Sequence, residues 1–158
     1  MMTIYDVLNW FQQTAFGLAL GRADHLFGAV LQLIHILGFV LLLTAVVLVN
    51  LRLLGMGLKR QVASVVTDST IPLLWIGLLA AVFSGVLIFL SGPLHYYPNE
   101  AFWLKLILLV LVVAFQVSIY RKVISLEAPG AVVVKSVAVL SLTLWFGVGV
   151  AGRAIGFI

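Results

Sequence analysis

The residues able to do chemistry in this chain are few, and the imidazoles lead them. Its 158 residues include three histidines, His25, His35 and His95, and no cysteine. His35 lies inside an apolar run, GAVLQLIHILGFVLLLTAVVLV, from Gly28 to Val49, with Gln32 about one helical turn before it. Polar side chains at membrane depth are costly, so they usually face a bundle interior, a cavity or a ligand. Neutral imidazole is an axial ligand of haem iron, and helical bundles build such sites from side chains on facing helices. The pattern points to haem b held by His35. Gly28 and Gly38 flank it and leave room for a flat macrocycle, and Tyr96, Tyr97 and Trp103 cover its edge. Lys105 and Arg153 are placed to pair with propionates. His95 becomes the second ligand, to haem iron or another metal, if the Ser91-Gly92-Pro93 turn folds it over the bundle. His25 is the weaker choice, because two residues of one helix cannot clamp both faces of a haem. The expected cofactor-binding set is His35, His95, Gln32, Lys105 and Arg153.

Other chemistries compete. His35 can instead hydrogen-bond Gln32, Ser84 or a backbone carbonyl and fix helix packing, as interhelical polar contacts do in membranes. Zinc wants three or four His, Cys or carboxylate ligands, and copper(I) favours sulfur. Here no carboxylate falls within a span, so a metal centre would rest on His35 and His95. A proton relay through Gln32 and His35 stops in the LLLTAVVLV that follows. A transporter is expected to have broken helices at mid-membrane, and these spans read as continuous. Lys105 reads first as a snorkelling anchor.

The elements that must position these residues follow from composition. The chain is 64% apolar and 9% charged, with a mean hydropathy of +1.27. A soluble domain is about 45–50% apolar and about 25% charged. The solvent of this chain is therefore largely lipid. Four segments reach the roughly 20 apolar residues that a membrane-crossing helix needs: about 27–49, 71–91, 102–120 and 135–153. Gly55-Met56-Gly57, Gly92-Pro93, Pro98 and Pro129-Gly130 punctuate the breaks. Short connections make neighbours antiparallel, so the expected fold is all-α, one domain over 1–158, an up-down four-helix bundle. Before it, Thr3 to Asp6 form a capping box. Residues 4–14 then form a short amphipathic helix on the membrane surface, anchored by Tyr5 and Trp10.

Sidedness follows from Lys and Arg. Arg52, Lys59, Arg60, Arg121, Lys122 and Lys135 flank one end of the bundle, and Arg22 and Arg153 the other. Both termini and the His95 loop are therefore expected outside, in the periplasm if the membrane is a Gram-negative inner membrane. His35 then lies about 12 Å into its span from the outer side, at 1.5 Å per residue. On span one, Gly28, Gln32, His35 and Leu42 fall within about 60° of one direction, the expected inward face. On span two, Gly77, Ala81, Ser84 and Ser91 form a small-residue seam of the kind that lets membrane helices approach closely. Lys105 and Gln116 lie about 20° apart around span three. Scattered basic residues at helix ends do not make a nucleic-acid surface. Soluble hydrolase and phosphate-loop motifs are absent.

LIHILGFVLLLTAVVLVNLRLLG (33–55), SGPLHYYPNEAFWLKLILL (91–109) and LWFGVGVAGRAIGF (144–157) together resemble a family of small, uncharacterised four-helix bacterial membrane proteins. Its pattern has a His early in span one and Asp-Leu-Arg-Leu-Leu-Gly at that span's inner end. A Tyr-rich loop then leads into Asn-x-Ala-Phe-x-x-Lys, and a Gly-Arg closes the chain. The resemblance runs from about Trp10 to Phe157. It implies the four-span fold and assigns no activity. Asn50 stands where the pattern has Asp, so a charge near Arg52 is absent. Span three ends in Phe115 to Tyr120, where the family pattern implies a His near the inner end. The layout is also loosely similar to copper-resistance membrane proteins and small b-type cytochromes, as an analogy between bundles. Fold does not give function.

The functional expectation is a haem b protein that passes electrons to or from a quinone or a periplasmic partner. The competing class is a non-catalytic subunit that anchors a larger membrane complex or a homo-oligomer.

Overall fold

A computed structural model describes residues 3–56, 63–124 and 130–157. Gly57, Lys59, Arg60 and Pro129, used above as punctuation and as topological charges, lie outside the described residues. Within them the chain is helical and has no strand. Helix α1 (Ile4–Gln13) begins with the expected capping box: Thr3 Oγ1 accepts from the Asp6 N–H at 3.2 Å, and Asp6 accepts from the Thr3 N–H at 2.8 Å. The Thr3 N–H first, and then the Thr3 hydroxyl, which donates to the same Asp6 Oδ2 at 2.8 Å, hold the Asp6 carboxyl below its ordinary range. Ile4, Val7 and Trp10 are exposed, and α1 buries nothing.

The sequence did not announce a second short helix, α2 (Ala15–Gly21). Thr14 closes α1 and opens α2. Its hydroxyl donates to Phe11 O at 2.6 Å and accepts from the Gly17 N–H at 3.1 Å. Gly17 tolerates the tight corner because any Cβ there would collide with the Phe11 carbonyl.

Four longer helices follow: α3 (His25–Leu53), α4 (Ala63–Ser91), α6 (Glu100–Phe115) with its continuation, and α8 (Ala131–Ala154). Each is long and apolar enough to cross a membrane, the third span running Glu100–Tyr120. Their outward residues (Leu33, Leu37, Leu79, Phe83, Val110 and Val150 among them) are large, apolar and exposed. Such a surface is stable only against lipid. The protein is a multi-pass membrane protein. The helices outrun the sequence spans because polar residues such as Asp68 and Glu100 are tolerated in end turns.

Two features depart from uniform α-helix. Pro72 sits inside α4, where its ring removes one backbone donor. In the turn before it, Ser69 and Thr70 hydroxyls donate to Val65 and Val66 carbonyls at 2.8–3.0 Å. Span three, expected to be continuous, widens after Phe115 into a π-helical turn, Gln116–Tyr120, before α7 (Arg121–Ile124). A short helix, α5 (Pro93–Tyr96), caps the connection between α4 and α6.

The closest packing joins α3 to α4. A Cβ on Gly38 would lie 2.9 Å from Ala81 N, and one on Gly77 2.6 Å from both Gly38 O and Leu42 N. The small-residue seam of span two thus faces α3, with Ala81 and Ser84 buried along it. Helix α8 then packs against α3 and α6. The centre is filled by Leu42, Val46, Leu78, Val112, Trp145 and Val148. A second cluster, Val49, Val66, Phe115, Tyr120 and Val137, fills the end away from His95.

The inward face of α3 is not quite the expected one. Leu42 is fully buried, but Gln32 is exposed and a Cβ on Gly28 would meet nothing within 4 Å. The buried line is Leu31, Gly38, Leu42, Ala45, Val46, Val49 and Asn50. Gln32 lines a cavity at the His95 end and does not enter a packed core. Gly38 likewise serves helix contact, not cofactor space.

Adding a side chain at the α3–α4 contact should therefore be costly. Gly77→Val should destabilise the protein by about 1–3 kcal/mol or more, as overpacking does, whereas Gly28→Ala should leave the melting temperature unchanged. Thermal unfolding of both variants in the same detergent checks this.

Candidate functional site

A cavity of about 570 Å³ opens at the His95 end of the bundle, bounded by α3, α4, α5, α6 and α8. All five cofactor residues expected from the sequence, Gln32, His35, His95, Lys105 and Arg153, line it. They come from α3, α5, α6 and α8, so only the tertiary fold brings them together.

His35 is held from both ring nitrogens. Nδ1 lies 2.7 Å from Ala81 O and 3.2 Å from Ser84 Oγ on α4. A carbonyl oxygen can only accept, so Nδ1 carries the proton and Nε2 carries the lone pair. Ser84, fully buried, donates to Ala80 O at 2.6 Å. The ring fits there because residue 85 is glycine: a Cβ would stand 2.9 Å from His35 Cε1. Of the packing partners expected for His35, Ser84 and a backbone carbonyl are present, while Gln32 lines the cavity without a hydrogen bond to the ring among the described residues.

On the other side, Lys105 Nζ stands 3.0 Å from His35 Nε2. An ammonium can only donate, so it caps the imidazole lone pair. Lys105 therefore points into the bundle instead of snorkelling to the surface. Its stem runs against Gly152, where a Cβ would lie 3.4 Å from Cε and Nζ. Arg153, the next residue, lines the cavity with its guanidinium 4.4 Å above the Phe157 ring. The cavity lining carries two basic side chains, Lys105 and Arg153, and no carboxylate.

The wall nearest α5 is aromatic. Phe89 and Phe102 stack at 5.2 Å, Tyr96 packs against both, and His95 meets Tyr96 edge-on at 5.1 Å. Burial in this cluster raises the Tyr96 phenol above its ordinary range. Tyr97 and Trp103, expected to cover a ligand edge, pack on each other and do not line the cavity. The Trp103 indole donates instead to Tyr97 O at 2.8 Å. His25 also stays outside the cavity, exposed and 2.6 Å from Asp24. Among the described residues no group of three or more His, Cys, Asp or Glu could hold a metal ion. A metal would rely on His35 and His95 alone.

Asn99 positions this wall. Its Oδ1 accepts from the Phe102 N–H at 3.1 Å, capping α6, while its Nδ2 donates to Ile155 O at 3.2 Å. One side chain thus starts the helix that carries Lys105 and ties it to the end of α8.

The segment from Asn99 to Lys105 and the Gly152-Arg153 pair, which carried the resemblance, meet His35 at one place. The chain belongs to DUF6644, a family of unknown function, whose pattern covers residues 7–158. No curated protein and no solved structure matches it significantly. In this member of DUF6644 the residues Gln32, His35, His95, Lys105 and Arg153 gather around one cavity, and the family assignment adds no activity to that geometry. Sequence reasoning missed two glycines that shape the wall, Gly85 and Gly149, and the aromatics Phe39 and Phe89, while Gly152 and Phe102 entered only as members of the family pattern. Gly85 was detectable only as the neighbour of a seam serine. Phe39 seats against Gly149, where a Cβ would lie 3.0 Å from Cε1, a match between distant segments that periodicity does not encode.

Removing the Asn99 side chain should loosen the wall. Asn99→Ala should cost about 1 kcal/mol as a lost helix cap, and more through the tether to Ile155. Hydrogen exchange should speed up in residues 93–103 and 153–157 together, with the α3–α4 contact unchanged.

Proposed function

We propose that this protein holds haem b in the cavity at the His95 end, with His35 as a ligand to its iron, and acts as a redox-type, electron-transfer membrane protein. The observation that carries this reading is the fixed tautomer of His35. Metal-ligating histidines almost always donate their second ring N–H to a carbonyl or carboxylate, and Nδ1–H is given to Ala81 O, which aims the Nε2 lone pair into the cavity. The lining also fits the group. The volume of about 570 Å³ falls within the roughly 300–1,000 Å³ typical of cofactor pockets. Lys105 and Arg153 would hold the propionates, which needs Lys105 to leave Nε2. Gly85, Gly149 and Gly152 give the His35 ring, the Phe39 ring and the Lys105 stem room along the wall. His95 is the candidate second ligand. Bound haem would supply one-electron transfer, exchanged with a quinone in the bilayer or with a partner protein on the same side.

A second reading rests on a different observation. Lys105 occupies the lone pair that iron would need, and Ile36 and Val40, lipid-exposed in mid-span, also line the cavity. A lipid-dissolved molecule with a carbonyl or anionic head, such as a quinone, would enter sideways and accept from Lys105 and Arg153 without any metal.

The His95 end is proposed to face the periplasm of a bacterial inner membrane. The chain has no cysteine, so single-cysteine variants report sidedness directly. Glu100→Cys should react with an impermeant maleimide in intact spheroplasts, and Lys59→Cys only after permeabilisation.

The deciding experiment for haem is a reduced-minus-oxidised absorbance spectrum of protein purified from haem-supplied cells. Expected is a b-type band, reduced at least tenfold in His35→Ala and kept in His25→Ala. A flat spectrum from folded protein overturns the haem reading. Co-extracted quinone would then support the second reading. Colourless protein without quinone but with a stoichiometric partner would mark an anchoring subunit.

A further inference from the structure

The end of the bundle away from the cavity carries a second polar site that the haem reading does not use. Asn50 on α3 is fully buried among apolar residues. Its Nδ2 donates to Val46 O at 2.8 Å and to Ser141 Oγ on α8 at 3.2 Å. Ser141, also fully buried, passes its own proton to Gln116 Oε1 at 3.3 Å, at the first residue of the π-helical turn. The chain of bonds thus links three spans. It leaves its own first member incomplete, because Asn50 Oδ1 has no partner among the described residues.

Two further buried atoms nearby share that condition, Trp145 Nε1 and Tyr120 Oη. Trp145, 1% exposed, lies one turn after Ser141 on α8 and packs in the same cluster as Val46, whose carbonyl takes the Asn50 amide. Tyr120, 4% exposed, closes the π-helical turn and packs in the cluster of Val49, the residue before Asn50. These three are the orphaned buried side-chain atoms among the described residues, and they belong to α3, the π turn and α8, the elements that the Asn50–Ser141–Gln116 bonds join at one junction. In hydrocarbon no solvent is at hand to complete such groups, so they must be satisfied from within.

We infer that this junction is an internal water site, with ordered water donating to Asn50 Oδ1 and accepting from Trp145 Nε1–H. The chemistry of the three atoms selects water over an ion. Asn50 Oδ1 needs a donor or a cation, but the indole N–H of Trp145 needs an acceptor. A metal cation offers Trp145 nothing, and an anion offers Asn50 nothing. Water serves both, and the Tyr120 hydroxyl can bond it in either direction. Buried waters typically make about three hydrogen bonds to otherwise unsatisfied groups. The π turn fits this role, since such turns are frequent at functional sites in helices. The site stands independently of what fills the cavity at the other end.

The test uses the full chain in lipid nanodiscs, with its tryptophans labelled at the indole nitrogen. Trp145 is assigned by the signal lost in Trp145→Phe. The expected result is a through-space contact between the Trp145 indole N–H and water in the wild-type protein, despite its burial. It should persist in Ser141→Ala, and Tyr120→Phe should lower the melting temperature by about 2–4 °C. An assigned Trp145 signal in folded protein with no water contact overturns the inference. So does a contact that vanishes in Ser141→Ala, which would mark relay through that hydroxyl, or a Tyr120→Phe variant at least as stable as wild type, as a dry hydroxyl would give.

Discussion

The near backbone contact of α3 with α4 at Gly38 and Gly77 is the constraint on which the rest of the bundle depends. With no side chain between them, the two helices approach until Gly38 O faces residue 77 and Ala81 N faces residue 38. Lipid supplies no hydrophobic drive for helices to associate, so close van der Waals contact and interhelical hydrogen bonds must hold them. That approach also sets the chemistry. Only at such a separation does the His35 ring span the interface, reach Ala81 O with Nδ1 and pack against Gly85. A bulkier seam would push the helices apart and free the ring to turn.

Once the Nδ1 tautomer is set, the other polar groups acquire meaning from it. The Nε2 lone pair is the one unspent acceptor of His35, and Lys105 reaches it from α6, across the cavity. Lys105 can lie inward because Gly152 gives its stem room and because Asn99 both starts α6 and ties it to the end of α8. Asn99, Lys105 and Gly152 therefore form a chain of positioning contacts that ends at the imidazole. The substituted position of the family pattern, Asn50, belongs to a different polar network at the other end. The bundle thus has two polar regions separated by the apolar centre of Leu42, Leu78, Val112 and Val148.

Much of this was legible in the residues. Composition required lipid, and the punctuation of apolar runs separated four helices. The seam of Gly77, Ala81 and Ser84 marked the contacting face of α4, and the scarcity of polar groups in the spans singled out Gln32, His35 and Lys105. Other features were not legible. Thr14 and Gly17 look like ordinary residues of one helix until the corner between α1 and α2 is seen. Gly28 and Gly38 both look like space for a ligand, yet one faces open space and the other is pressed against a backbone. A glycine announces close approach or emptiness with the same symbol, and only the neighbour distinguishes them.

By itself, then, the sequence determined the solvent, the number of membrane helices, the small-residue face by which α4 packs and the short roster of polar groups that lipid would not tolerate uncovered. These follow from transfer energies and helical periodicity, which act along one segment at a time. The tertiary structure decided which way each polar group turns: Lys105 toward His35 rather than to the surface, Tyr97 and Trp103 away from the cavity, and Asn50 toward Ser141 rather than Arg52. Those choices depend on what stands opposite, at Ala81, Gly85, Gly152 and Ser141. Such residues come from other helices, at distances along the chain that no local pattern records.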